Sequence, residues 1–251
     1  MVKHFIIMSS SYTDGTRVAL DITNTNLLNQ HSISNIISHI RHICGNDLPF
    51  STHMIEGEDD SWSSVTKYDP FFEDVLCTKS LEEFLEKIKK GRILTGLDVA
   101  TYILSKVKCT HLSLEKLVYF AYADYLCEYG HQLFEDKIYA FAHGPVIASV
   151  YDTYKKSGYR YVSPPEHENE RGIYTGVDEL PARSRILFAK DGAEKLRSID
   201  RTIHKYGTCS ANFLVSLTHR NGTPWSQVDS SKSYQIISDQ LIYEYHHIES
   251  I

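Results

Sequence analysis

Cysteine is scarce and unpatterned: Cys44, Cys77, Cys109, Cys127 and Cys209 are scattered, odd in number and nowhere form C-x-x-C. That argues against a disulfide scaffold and against a cysteine zinc site, leaving core thiols. Long apolar runs are missing too, and none approaches the roughly 20 residues a membrane helix needs. The opening "MVKHFIIMSSSY" is too short in its apolar part for a secretory signal. A cytoplasmic protein with no membrane partner is expected.

Signatures of chemistry are equally sparse. "FAHGPV" (141–146) has one glycine, so it lacks both a lysine-bearing phosphate loop and a G-x-G-x-x-G turn. Neither G-x-S-x-G nor H-E-x-x-H occurs, nor does a kinase set. His39 and His42 lie three apart with His31 upstream, but no carboxylate flanks them, so they read as helix-surface histidines. No Lys/Arg stripe interleaves with aromatics, which argues against direct nucleic-acid binding. No cofactor, no metal and no catalytic residue is assigned, and a non-enzyme is expected. A hydrolase centred on His143 or His219 is the competing reading, because a histidine can meet a distant nucleophile in three dimensions.

What the chain does have is an ordinary globular composition, 42% hydrophobic and 23% charged over 251 residues, enough for one large domain or two small ones. Its 17 tyrosines suit both cores and protein contacts. Charge divides unevenly. Residues 1–78 hold 4 Lys/Arg against 10 Asp/Glu, while 79–251 hold 22 of each, so the whole formal charge of −6 sits in the first third. "EGEDD" (56–60) reads as a solvated loop or as an attractor for a basic partner.

Periodicity divides the chain at the same place. Residues 1–78 form a small α/β extension. It has strands at "HFIIMSS" and "TRVALDI" joined by a turn at "SYTDGT", and a short strand near Met54 and Ile55. Its helix runs through Ile33, Ile36, Ile37, Ile40 and Ile43, entered at Ser32 or Ser34 and closed by Gly45. Residues 79–251 are mainly helical. Ser80 and Glu83 suggest a capping box, with Gly91 closing that helix. Ala100, Ile103, Leu104 and Val107 share one helix face. "SLEKLVYFAYADYLCEYG" is apolar nearly all round and should be buried. "IYAFA" reads as a strand, then Gly144 caps and Pro145 begins a helix over 145–156 that carries Val146, Val150 and Tyr154 as a stripe. The loop "SPPEHENERG" and helical patterns near 183–206, 210–220 and 238–247 complete the chain. The class is α+β.

The second region resembles the core of the Panacea domain, found in phage-associated proteins and antitoxins. The likeness begins with an L-x-K-L-x-Y-F-A-Y helix (Leu114, Lys116, Leu117, Tyr119, Phe120, Ala121, Tyr122). Gly130, "LFEDKIYAFAHGPV" and "SVYDTYKKSG" follow in order, then "FLVSLTHRNGTPW" and "ISDQLIYEY", so that it covers roughly 92–251. The resemblance implies a compact helical domain with a short hairpin. It also implies a role in neutralising a protein toxin by direct binding, with inhibition of a host or defence protein, or proteolytic delivery as an adaptor, as alternatives. The motif residues it singles out, for structure or partner binding, are Lys116, Tyr119, Tyr122, His143, Gly144, Pro145, Val146, Tyr151, Thr218, His219, Pro224 and Trp225. The acidic 1–78 segment is expected to choose the partner, and its charge suits a basic toxin.

Overall fold

The structure, a computed structural model, describes residues 1–12, 15–162, 179–228 and 234–251. Part of the "SYTDGT" turn and the whole of "SPPEHENERG" lie outside these residues. The chain forms two compact units. The first comprises Met1–Ile93 with Phe188–Asp191, and the second Leu94–Leu187 with Gly192–Ile251.

In the first unit, β1 (Val2–Ser11) pairs antiparallel with both β2 (Thr16–Ile22) and β3 (Ser51–Gly57), and β4 (Val75–Thr78) adds parallel to β2. The order is β3-β1-β2-β4. Both faces are covered, which is why β1 reads "FIIM" without alternation. On one face Ile7, Val18, Leu20 and Ile22 pack with Ile40 and Cys44 of α1 (Gln30–Cys44) and Phe84, Leu85 and Ile88 of α3 (Leu81–Gly91). On the other, Ile6, Met8, Ala19, Ile55 and Val75 meet Val65 of α2 (Trp62–Tyr68) and Phe72 from the turn that follows it. His4 Nδ1 faces the Asp21 carboxylate at 2.9 Å, with both side chains buried. Its Nε2 lies 2.9 Å from the Asp59 carbonyl oxygen, which ties the acidic "EGEDD" segment to the sheet.

Several boundaries differ from the sequence expectation. α1 starts earlier, because Asn29 caps it by accepting from Ser32 N–H. One helix that the sequence did not predict, α2, lies between β3 and β4. Ser80 does cap α3, but the Glu83 carboxylate accepts from the Thr78 hydroxyl rather than completing the box. Arg92, not Gly91, is the C-cap residue. Most consequentially, α3 packs on β1 and β2, so the first unit runs past 78 to Ile93. It also takes in 188–191: Lys190 N–H donates to Arg92 O (3.1 Å), and Asp191 N–H to the Asp47 carboxylate (3.1 Å).

The second unit is built around α5 (His111–Tyr129). α4 (Gly96–Lys106) precedes it, entered through the reciprocal Thr95–Asp98 capping box and burying Val99, Ala100, Tyr102 and Ile103. Leu104 and Val107, expected on that face, are only partly buried. β5 (Ile138–Phe141), β6 (Gly144–Ile147) and β7 (Gln235–Ile236) form a sheet of order β6-β5-β7. The remaining helices are α6 (Ala148–Tyr154), α7 (Glu179–Phe188), α8 (Gly192–Tyr206), α9 (Ala211–Thr218) and α10 (Asp239–Glu249). The expected helix over 183–206 is thus two helices, broken where Asp191 takes a left-handed φ of 57°. No helix among the described residues is long and apolar enough to cross a membrane.

α5 is buried on nearly every side, as its composition requires, and tyrosine makes that possible. A buried phenol needs a partner for its hydroxyl. Tyr119 donates to Glu249 (2.5 Å) and Tyr122 to Asp239 (2.6 Å), both on α10, while Tyr102 of α4 donates to Asp200 of α8 (2.6 Å). Three of the 17 tyrosines are thus core residues whose hydroxyls end in carboxylates.

Candidate functional site: a clamped hairpin over a buried charge network

The stretch from Gly144 is not a helix start. Gly144–Ile147 is a strand, antiparallel to β5 from Ile138↔Ile147 to Phe141↔Gly144, with Ala142 and His143 as the connecting residues. The helix begins only at Ala148. Pro145 therefore sits in the edge strand β6, where a missing N–H is tolerated. Gly144 has φ +101°, a value that disfavours any side chain. A Cβ there would lie 2.7 Å from Thr218 Oγ1 and 3.1 Å from Lys116 Nζ. The stripe divides accordingly: Val150 and Tyr154 are buried on α6, and Val146 reaches the core from the strand.

Three elements hold the hairpin. From below, Lys116 Nζ donates to the Pro145 carbonyl at 2.5 Å, and Glu115 accepts from Ile147 N–H at 3.2 Å. From the α9 side, Trp225 Nε1 donates to Phe141 O at 2.8 Å. The His219 ring lies 3.8 Å from the Trp225 ring, with Nδ1 2.8 Å from Val215 O and Nε2 3.2 Å from Ala142 O. Thr218, fully buried, donates to Val215 O (2.9 Å), and Thr223 donates back to Thr218 O (2.7 Å), shaping the turn in which Pro224 precedes Trp225. On the outer side Tyr151 packs against Phe141 (5.3 Å) and His111 (5.2 Å).

Of the twelve motif residues, Lys116, Gly144, Pro145, Val146, Thr218, His219, Pro224 and Trp225 thus form or converge on one hairpin, with Tyr151 beside it. Tyr119 and Tyr122 instead join α5 to α10. His143 is exposed at the hairpin tip. His219 faces carbonyl oxygens, and its neighbour Thr218 is closed off from substrate. Trp225→Phe should cost about 1 kcal/mol, the worth of one lost hydrogen bond, as read by urea denaturation. His31, His39 and His42 are exposed on α1, and no group of three metal-ligating side chains occurs among the described residues.

Sequence reasoning missed the network beneath the clamp. Lys116, Glu115 and Glu249 are all essentially inaccessible. Glu249 accepts from Tyr119 and from His246 Nδ1 (3.0 Å), while His246 Nε2 meets Asp124 (2.9 Å) and Thr202 donates to Asp124 (2.8 Å). The available signal was a Glu-Lys pair, with Asp124 two turns on, inside a helix apolar on nearly every side. Burial pushes the Lys116 ammonium down to about 8, against the pull of Glu115 and Glu249. Desolvation alone would lower His246, but its bonds to Asp124 and Glu249 raise it overall.

These two shifts act oppositely on stability. A raised His246 contributes fully below about pH 6.5, its unfolded value, and that contribution fades as pH rises through the folded value. A depressed Lys116 imposes its full cost below about 8, and the cost is relieved between there and its ordinary 10.5. Denaturation midpoints should therefore fall above pH 6.5 and recover above pH 8. His246→Gln should remove the fall and keep the recovery.

Comparison with known proteins gives a concordant result. Residues 114–226 match the family model described as "Antitoxin SocA-like, Panacea domain". The chain is 27% identical over 135 residues to the protein named "Antitoxin SocA" from Caulobacter vibrioides, across 52% of this chain and 68% of the relative. No solved structure matches. The match is narrower than the resemblance over 92–251, running from the first turn of α5 through the Trp225 turn, and so it contains the clamp except His111, and leaves out α10 with its share of the buried network. Over residues 114–226, then, the chain is similar to the Panacea domain of antitoxin SocA-like proteins.

Proposed function

We propose that this chain is an antitoxin, which neutralises a protein toxin by binding it directly and performs no catalysis. The similarity of residues 114–226 to the Panacea domain of SocA-like antitoxins carries this reading. The clamp agrees with it: apart from the exposed His143, the motif's polar side chains are engaged within the fold, which leaves surface shape and charge as the means of action. We assign partner choice to the first unit, whose acidic excess suits a basic toxin.

The test is co-expression with the product of the neighbouring gene, scoring growth rescue and co-purification together. Rescue with a stable complex is expected, and His143→Ala, at an exposed position, should rescue as well as wild type. A non-toxic neighbour, or rescue without a complex, would overturn the proposal in favour of a host-directed inhibitor or an adaptor. Loss of rescue in a folded His143→Ala variant would favour an enzyme.

A further inference from the structure

β3 is an outer strand of the first sheet, and it pairs with β1 over seven consecutive positions with no bulge. Amides along an antiparallel strand alternate in direction, so every second residue of Ser51–Gly57 turns its N–H and C=O away from β1. Among the described residues, no hydrogen bond reaches those outward groups. Exposed edges are ordinarily blunted by proline, lysine, a bulge or very short length. "STHMIEG" has none of these. One of its faces presents Thr52, Met54 and Glu56 to solvent, with Met54 54% exposed. Its C-terminal end runs into Glu58, Asp59 and Asp60. Lys67 and Lys79 lie 4.0 and 3.9 Å from Glu58 and Asp60 in exposed pairs, which hold too weakly to resist an incoming cation.

We propose that β3 accepts an extended, basic segment of the protein partner as a fifth strand. Main-chain bonds supply the attachment, an apolar side chain covers Met54, and Lys or Arg sits beside Glu56 and the Glu58–Asp60 end. A second copy suits the edge less well, because the first unit holds 14 Asp/Glu against 10 Lys/Arg and two such units repel. The proposal rests on the reading that the chain acts by binding a protein, but its test does not need the toxin.

The probe is a displayed library of random dodecapeptides selected on the full chain, with enriched peptides synthesised and titrated by fluorescence anisotropy. Adjacent residues point their amides oppositely, so either Thr52→Pro or His53→Pro removes an outward N–H and spares the ladder; circular dichroism identifies which. Expected are proline-free peptides that alternate apolar with basic residues. They should bind the folded proline variant and a Glu56→Lys/Glu58→Lys variant at least tenfold more weakly than wild type. Peptides that bind these variants equally well, or no enrichment at all, overturn the proposal. So does a dimer in sedimentation that the proline variant abolishes, since the edge would then serve a second copy. Growth rescue is scored separately, so failure of the antitoxin reading and failure of the edge are told apart.

Discussion

Gly144→Ala is expected to destabilise the second unit by about 3 kcal/mol, combining a strained backbone at about 1–2 with overpacking at about 1–3. At φ +101° any Cβ is strained, and here it would also lie 2.7 Å from Thr218 Oγ1 and 3.1 Å from Lys116 Nζ. Neither neighbour can withdraw cheaply. Thr218 is held to Val215 O, and Lys116 moves only by giving up the Pro145 carbonyl. For a unit of this size the melting temperature should drop by roughly 6–12 °C. Adding Thr218→Ala removes the hydroxyl that the new methyl meets, so the double variant should lose less than the sum of the two singles. Strict additivity would mean that the hairpin relaxes away from α9, and would contradict the clamp.

Glu249→Ala should be at least as severe, at about 3–5 kcal/mol, the cost of breaking a buried ionic network by removing one member. The carboxylate is fully buried, accepts from Tyr119 and His246, and draws on Lys116. Its loss leaves the Tyr119 phenol without its acceptor and takes one of two carboxylates from both His246 and Lys116 in the same low-dielectric space. Glu249→Gln keeps an oxygen acceptor and should retain part of the stability. In the alanine variant the loss of stability above pH 6.5 should also shrink, because His246 keeps only Asp124. Calorimetry across pH 6 to 9 checks both effects. A silent Glu249→Ala would show that the network does not hold α10 in place.

Which elements the sequence made legible follows from how each is stabilised. "TRVALDI" and α5 were readable because burial decides them, and hydrophobic pattern reports burial. α2 and β4 were not, being seven and four residues long and too short for a period to emerge. The corner after Phe141 was misread for a definite reason. Gly-Pro punctuates a helix start and a hairpin edge equally well, and only pairing with β5 decides between them. The clamp residues were legible through family likeness, whereas their carboxylate partners were not. Glu115, Asp124 and Glu249 come from α5 and α10, and no spacing in the chain announces that they share a space with Lys116 and His246.

The first unit is not one continuous piece of chain. It borrows Phe188–Asp191, the last residue of α7 and the turn before α8, with the Phe188 ring 6.5 Å from the Tyr12 ring. A single crossover at residue 93, between two related genes, would therefore deliver a sheet from one parent and its four-residue closure from the other. Hybrids should survive only where both parents supply compatible closures, so recombination is expected to exchange the first unit less freely than a detachable module would allow.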